Sequence, residues 1–163
     1  MEARQKKILG TVTRPPEPTE LNKIMVAVDP KFGIRELRRL LEQYRRAYTP
    51  VVDPVAVALN ENDIAKLEHH LDQQRKTLIK QGIKDVTTTV RRGYIVSESL
   101  LDYARQTGHD MIWMETHGRK GLAKWIIVRV TEEVLQYSPV PVLSLHPERE
   151  PVRKTYYHEN LPI

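Results

Sequence analysis

The residues best placed for chemistry lie between 110 and 130, in DMIWMETHGRKGLAKWIIVRV. A short apolar run, Met111 to Met114, gives way to a polar loop that carries Gly118 and Gly121. Beyond it, apolar residues return at helical spacing at Ile127, Val130 and Val134. Strand, glycine loop and helix in that order bring backbone N–H groups and a positive helix end beside a strand terminus, which is a means of holding an anion, often a phosphate. The loop residues His117-Gly118-Arg119-Lys120-Gly121 are themselves basic.

Other chemistries find little support. The spacing GxxxxGK[ST] is absent, so GRKGLAK is not a Walker A loop, and there is no GxSxG elbow. His69 and His70 are consecutive, which points them to different sides of a helix, and no HExxH or spaced carboxylate set suggests a metal. Trp113 and Trp125 flank the loop and are candidates for stacking on a base, although Trp113 in a strand reads better as core. No nucleophile–base pair can be assembled, so the expectation is a protein that binds and does not catalyse.

The totals agree with a binding domain. A chain of 163 residues suits one domain with a proper core, and 40% hydrophobic with 29% charged residues is an ordinary globular balance. With no cysteine, disulfides and thiolate metal sites are excluded, and a reducing cytoplasm is the natural compartment. No apolar run is long enough for a transmembrane segment, and the opening MEARQKK is unlike a signal peptide. The net charge of +5 invites a nucleic-acid partner, but Lys and Arg are scattered among Glu and Asp without aromatic interleaving, so solvated helix faces account for it.

The elements that must position the loop can be read in order. Residues 1–22 form a polar, proline-bearing leader in which Ile8 to Val12 is at most a stray strand. Lys23 to Val28, KIMVAV, reads as a strand buried on both faces, ending at Asp29-Pro30. Ile34, Leu37, Leu40, Leu41, Tyr44 and Tyr48 predict a helix that stops before Pro50. Val55 to Leu59 is a second strand. Asn62 or Asp63 is placed to cap a helix with Ile64, Leu67, Leu71, Leu78 and Ile79 on its inner stripe, and Gly82 to stop it. Asp85 to Arg91 alternates and predicts a third, more exposed strand. Ser97 is placed to cap a helix that Gly108 ends, and Arg91-Arg92 reads as surface. After the strand Met111 to Met114 and a helix to about Tyr137, Val140 to Leu145 is a fifth strand whose Pro141 points to a sheet edge. Residues 148–163 form a polar tail. This alternation predicts a doubly wound parallel α/β sheet, with a ligand where the strand order reverses, near Asp29 and Glu115 to Gly121 if strands one and four flank that point.

KIMVAVD, VRRGYIVSESLLDYA and METHGRKGLAKWIIVRVTEEVLQYSPVPVLSLHP together resemble the universal stress protein family over residues 23–147. The resemblance implies a single five-stranded parallel sheet in the order 3-2-1-4-5 with helices on both faces. It also implies a homodimer, commonly paired through the fifth strand, here Val140 to Leu145. Members that bind ATP carry G-x-x-G-x9-G-[ST] after the fourth strand and an Asp at the end of the first. Asp29 and Gly118 match that pattern. Glu115, Val128 and Arg129 depart from it, standing where Gly, Gly and Ser or Thr belong. By resemblance the nucleotide site comprises Asp29, Ala58, Met114, Glu115, His117, Gly118, Arg119, Val128 and Arg129.

The departures have physical consequences. Val128 adds a β-branched side chain where the backbone should approach phosphate, and Glu115 a negative charge beside a polyanion, whereas Arg129 brings a guanidinium able to grip phosphate. The resulting expectation is a stress-response binding or signalling module that is not a conventional ATP binder. Two alternatives stand beside it: a nucleotide sensor that binds ATP or AMP, and a cytosolic regulatory domain associated with a membrane transporter, whose leader would serve as a tether.

Overall fold

The computed structural model describes residues 21–30, 33–46, 48–115 and 122–145, with the backbone alone for 122–128. The polar leader and tail, apart from Leu21 and Asn22, and the loop His117-Gly118-Arg119-Lys120-Gly121 lie outside the described residues. The elements are β1 Lys23–Ala27, α1 Arg35–Tyr44, β2 Val51–Ala58, a 3-10 turn Glu61–Asp63, α2 Ile64–Lys80, β3 Thr89–Arg92, α3 Val96–Thr107, β4 Met111–Glu115, α4 Leu122–Tyr137 and β5 Val142–Leu145. All strand pairings are parallel, as the alternation of strands and helices predicted, and the order is β3-β2-β1-β4-β5, as the family resemblance implied.

Strand residues alternate between two buried faces, which is why the central strands read as unbroken apolar runs. Ile24, Val26, Val52, Ala56, Ala58 and Trp113 meet Leu37 and Leu41 of α1 and Leu67, Leu71 and Leu78 of α2. On the other face Met25, Val55, Ile112 and Met114 meet Leu100, Leu101 and Ala104 of α3 and Val134 of α4. Trp113 is therefore core, only 2% exposed. Asp110 fixes the start of this register, since its Oδ2 accepts the backbone N–H groups of Asn22 and Lys23 at 2.9 and 2.8 Å.

Several boundaries differ from the sequence reading. Helix α1 stops at Tyr44; the apolar spacing continues to Tyr48 because its ring stacks on Tyr44 with centroids 4.7 Å apart. Strand β2 begins at Val51 and runs straight through Pro54, four residues earlier than the apolar run suggested. That proline in turn explains why the third strand is split. The N–H and C=O of Val52 both serve the β3 side, bonding Asp85 and Thr87, and Pro54, two residues on, faces the same side with no N–H to give. Only an isolated bridge, Val52 to Val86, precedes the gap, and the ladder resumes at Thr89.

The expected caps also differ. Asp63 precedes α2 without a side-chain capping bond, and Asn62 lies inside the 3-10 turn. Ser97 is inside α3, not at its cap: it is 1% exposed and donates to the Glu133 carboxylate of α4, tying the two helices together. The helix stops are where the sequence put them, for Gly82 and Gly108 take φ of +90° and +63°, a conformation that side chains resist. Pro141 falls just before β5, which is an edge strand, and its carbonyl accepts the N–H of Ile112.

Candidate functional site

A cavity of about 430 Å³ opens at the carboxyl ends of β1, β2 and β4, the crevice where this topology places ligands. Its walls are mostly apolar. Ala27, Val55, Val57 and Met114 come from the sheet, Val96 and Leu100 from α3, and Val130 from α4. The polar lining comprises Asp29 after β1, Asn60 and Asp63 after β2 and Lys66 in the first turn of α2, with Glu115 at the end of β4 and Thr131 of α4 both buried. An apolar slot with a few polar groups in its lining suits a flat heteroaromatic group held by its edge.

The residues implied by resemblance fare differently. Asp29, Met114 and Glu115 line this cavity. Ala58 is buried on the opposite face of the sheet, within the α1–α2 core, and its carbonyl accepts the N–H of Gly93. Arg129 points outward: its side chain is 81% exposed and its Nε donates to Glu133 at 3.1 Å. Val128 lies in helix α4, where the backbone alone is described, and His117, Gly118 and Arg119 lie outside the described residues. Val57, Lys66, Val96, Leu100 and Thr131 were missed by the sequence reading. Each belongs to an ordinary strand or helix stripe, and only the packing of α2, α3 and α4 around the strand ends brings them together.

Glu115 has a role that the sequence did not suggest. Its side chain points to the α1 face of the sheet, and its Oε1 accepts the N–H of Leu37 at 2.6 Å. Leu37 is the third residue of α1, and Ile34 ahead of that helix makes no side-chain cap. The carboxylate, 8% exposed, thus supplies from β4 the cap that the helix lacks and meets its positive end.

A second polar group lies at the other end of the sheet. Asp53 of β2 and His109, just before β4, meet at 3.2 Å through Oδ2 and Nε2, with side chains 1% and 0% exposed. Tyr103 donates to Asp53 Oδ2 at 3.0 Å and Thr89 to Oδ1 at 3.2 Å. His109 Nδ1 lies 2.7 Å from the Thr107 hydroxyl, which also donates to the Tyr103 carbonyl. Burial pushes the Asp53 carboxyl up, but hydrogen bonds from His109, Thr87 and Tyr103 outweigh it and hold the group below its ordinary value. Aspartate, imidazole and hydroxyl stand in line as in a nucleophilic triad, yet the aspartate and imidazole are closed to solvent. The group fastens α3 and β4 to the sheet and presents no nucleophile. Among the described residues no cluster of His, Asp and Glu could hold a metal ion, and no helix is long and apolar enough to cross a membrane.

The model of the universal stress protein family matches residues 20–146. The chain belongs to that family. Among solved structures, a universal stress protein in complex with cAMP superposes with a TM-score of 0.65 at 17% identity, covering 80% of this chain and 100% of that one. The protein UspA from Lactobacillus plantarum gives 0.64 at 15% identity, with 77% and 98% covered. A universal stress protein from Archaeoglobus fulgidus in complex with dAMP gives 0.60 at 19%, again with 77% and 98% covered. None of the curated proteins compared with the chain matches it significantly. Family membership carries with it the five-stranded α/β fold described above, and it makes the chain a universal stress-type binding module.

Proposed function

We propose that this universal stress protein works by binding an adenine nucleoside or nucleoside monophosphate in the cavity at the ends of β1, β2 and β4, and that it does not bind ATP in the conventional way. The observation that carries this reading is the cavity itself. Its apolar slot between Val57, Leu100 and Met114 suits a base, while Arg129, the one guanidinium of the expected phosphate site whose side chain is described, is turned away. Arg129 faces solvent and is paired with Glu133, and Glu115, a residue of the cavity lining, carries a carboxylate at the position of the family's first glycine. That two family members of similar structure were solved with cAMP and dAMP, both monophosphates, supports the same ligand class. The module then acts through the surface it presents, without a chemical step.

The test begins with protein purified without added nucleotide, denatured, and its released small molecules identified by chromatography and mass. Calorimetry on the same batch then compares adenosine, AMP and ATP. Adenosine or AMP is expected to bind at least about tenfold more tightly than ATP, a difference of about 1.4 kcal/mol. ATP binding as tight as AMP would retire the monophosphate reading, and no heat from any of the three up to millimolar concentration would retire the site.

We also propose a homodimer through β5. This strand is a sheet edge with half-buried side chains, and the nearby Leu135 and Tyr137 of α4 are 51% and 58% exposed. An exposed edge flanked by large apolar groups is usually covered in native proteins. Light scattering is expected to give twice the chain mass for the native protein and the monomer mass for the double variant Leu135→Asp/Tyr137→Asp. A native monomer at micromolar concentration would sink this assignment.

A further inference from the structure

We infer that the outer stripe of helix α1 docks an acidic protein segment. From Arg35 to Arg46 the chain holds five arginines against Glu36 and Glu42, and no lysine. Helical spacing sorts them. Leu37 and Leu41 are buried against the sheet, while Arg35, Arg39, Gln43 and Arg46 are all exposed, at intervals of four, four and three residues. Arg35, Arg39 and Gln43 therefore line one ridge of α1 about 12 Å long, and Arg46 follows in the turn beyond its end. Arg39 has a loose partner in Glu36 at 3.3 Å, and neither Arg35 nor Arg46 makes an ion pair with another described residue. At the far end Tyr48 lies 47% exposed on top of Tyr44. Arginine and tyrosine are the residue types enriched in protein interfaces, and a guanidinium grips a carboxylate in a fixed fork.

The surroundings select among anionic partners. Helix α1 lies flat in one layer with α2, so it does not project far enough to enter a nucleic-acid groove. Its neighbour α2 exposes Glu68, a carboxylate that interrupts contact with a continuous anionic surface, whereas Asp72 is already paired with Arg75 and Lys76. The ridge also lacks the apolar side chains that would sink into a lipid surface. A protein segment with carboxylates at discrete positions meets the arginines and avoids Glu68.

The test uses the full chain and a fluorescent helical peptide with glutamates at the spacing of the ridge, in low-salt buffer. Binding is expected to weaken with added salt. It is also expected to weaken about tenfold or more in Arg35→Gln/Arg39→Gln/Arg46→Gln, the combined weight of three exposed pairs. A control, Lys76→Gln/Lys80→Gln/Lys84→Gln, removes the same charge from exposed positions elsewhere and is expected to stay within about twofold of the native protein. All six sites are exposed, and circular dichroism checks that both variants remain folded. Equal losses in the two variants, absence of peptide binding, or tighter binding to phosphatidylserine vesicles or duplex RNA than to the peptide would each overturn the inference.

Discussion

Replacing His109 with alanine is expected to destabilise the fold by about 3–5 kcal/mol, the usual result of stripping the partner from a buried charge. Asp53 would be left 1% exposed beside Thr89 and Tyr103, with no imidazole against its Oδ2 and a void where the ring packed. The double variant His109→Leu/Asp53→Leu should recover much of the loss, because it removes both polar partners instead of orphaning one. Urea unfolding of the single and double variants checks this; a loss below about 1 kcal/mol for His109→Ala would show that the pair is not the fastening described. The native protein also carries a pH signature of Asp53. Its folded value lies below the unfolded one, so its contribution is fully present above about pH 4 and is lost as pH falls through the lower, folded value. Stability measured from pH 5 downward is expected to decline less steeply in the double variant than in the native protein.

The second large effect concerns Glu115, in which helix capping and ligand choice are joined. In Glu115→Gly the N–H of Leu37 loses its acceptor and α1 its only described cap, at a cost of about 1–2 kcal/mol. The same change removes the charge of a residue that lines the cavity, and the ratio of ATP to AMP affinity is expected to rise about tenfold, given the Coulomb energy of two charges a few ångströms apart in a partly wet site. Glu115→Gln separates the two roles. Its amide oxygen can still accept from Leu37, so stability should change by less than about 1 kcal/mol, while the charge is gone and the affinity ratio should shift as it does in the glycine variant. Calorimetry with both nucleotides and thermal unfolding on the same samples give the answer. An unchanged affinity ratio in Glu115→Gln would mean that the carboxylate is spent wholly on α1 and has no say in ligand choice.

Much of the fold was legible in the sequence because its signals are local. Lys23 to Val28 and Met111 to Met114 are short apolar runs of the kind that a two-faced sheet requires, and Gly82 and Gly108 mark stops where the backbone must turn left-handed. The order 3-2-1-4-5 came from family resemblance, and the register confirms it. The errors have physical causes of another kind. The second strand was started at Val55, and it begins at Val51 because the chain continues straight through Pro54, opposite which the neighbouring ladder opens. Ser97 looked like a cap and was drawn inside α3 by Glu133, thirty-six positions away.

For the candidate site the division is sharper. The sequence by itself determined a parallel α/β domain and, once strands one and four are taken as the flanking pair, a crevice near Asp29 and Glu115; Met114 came only from the family resemblance, and all three line the cavity. Only the tertiary structure decided which way the side chains turn: Glu115 to the end of α1, Arg129 to solvent, Ala58 to the far face. It alone brought His109 to Asp53, fifty-six positions apart. Periodicity records which face of its own element a residue occupies. The partner that it meets there is set by the packing of other elements, and nothing in its own stretch of chain encodes it.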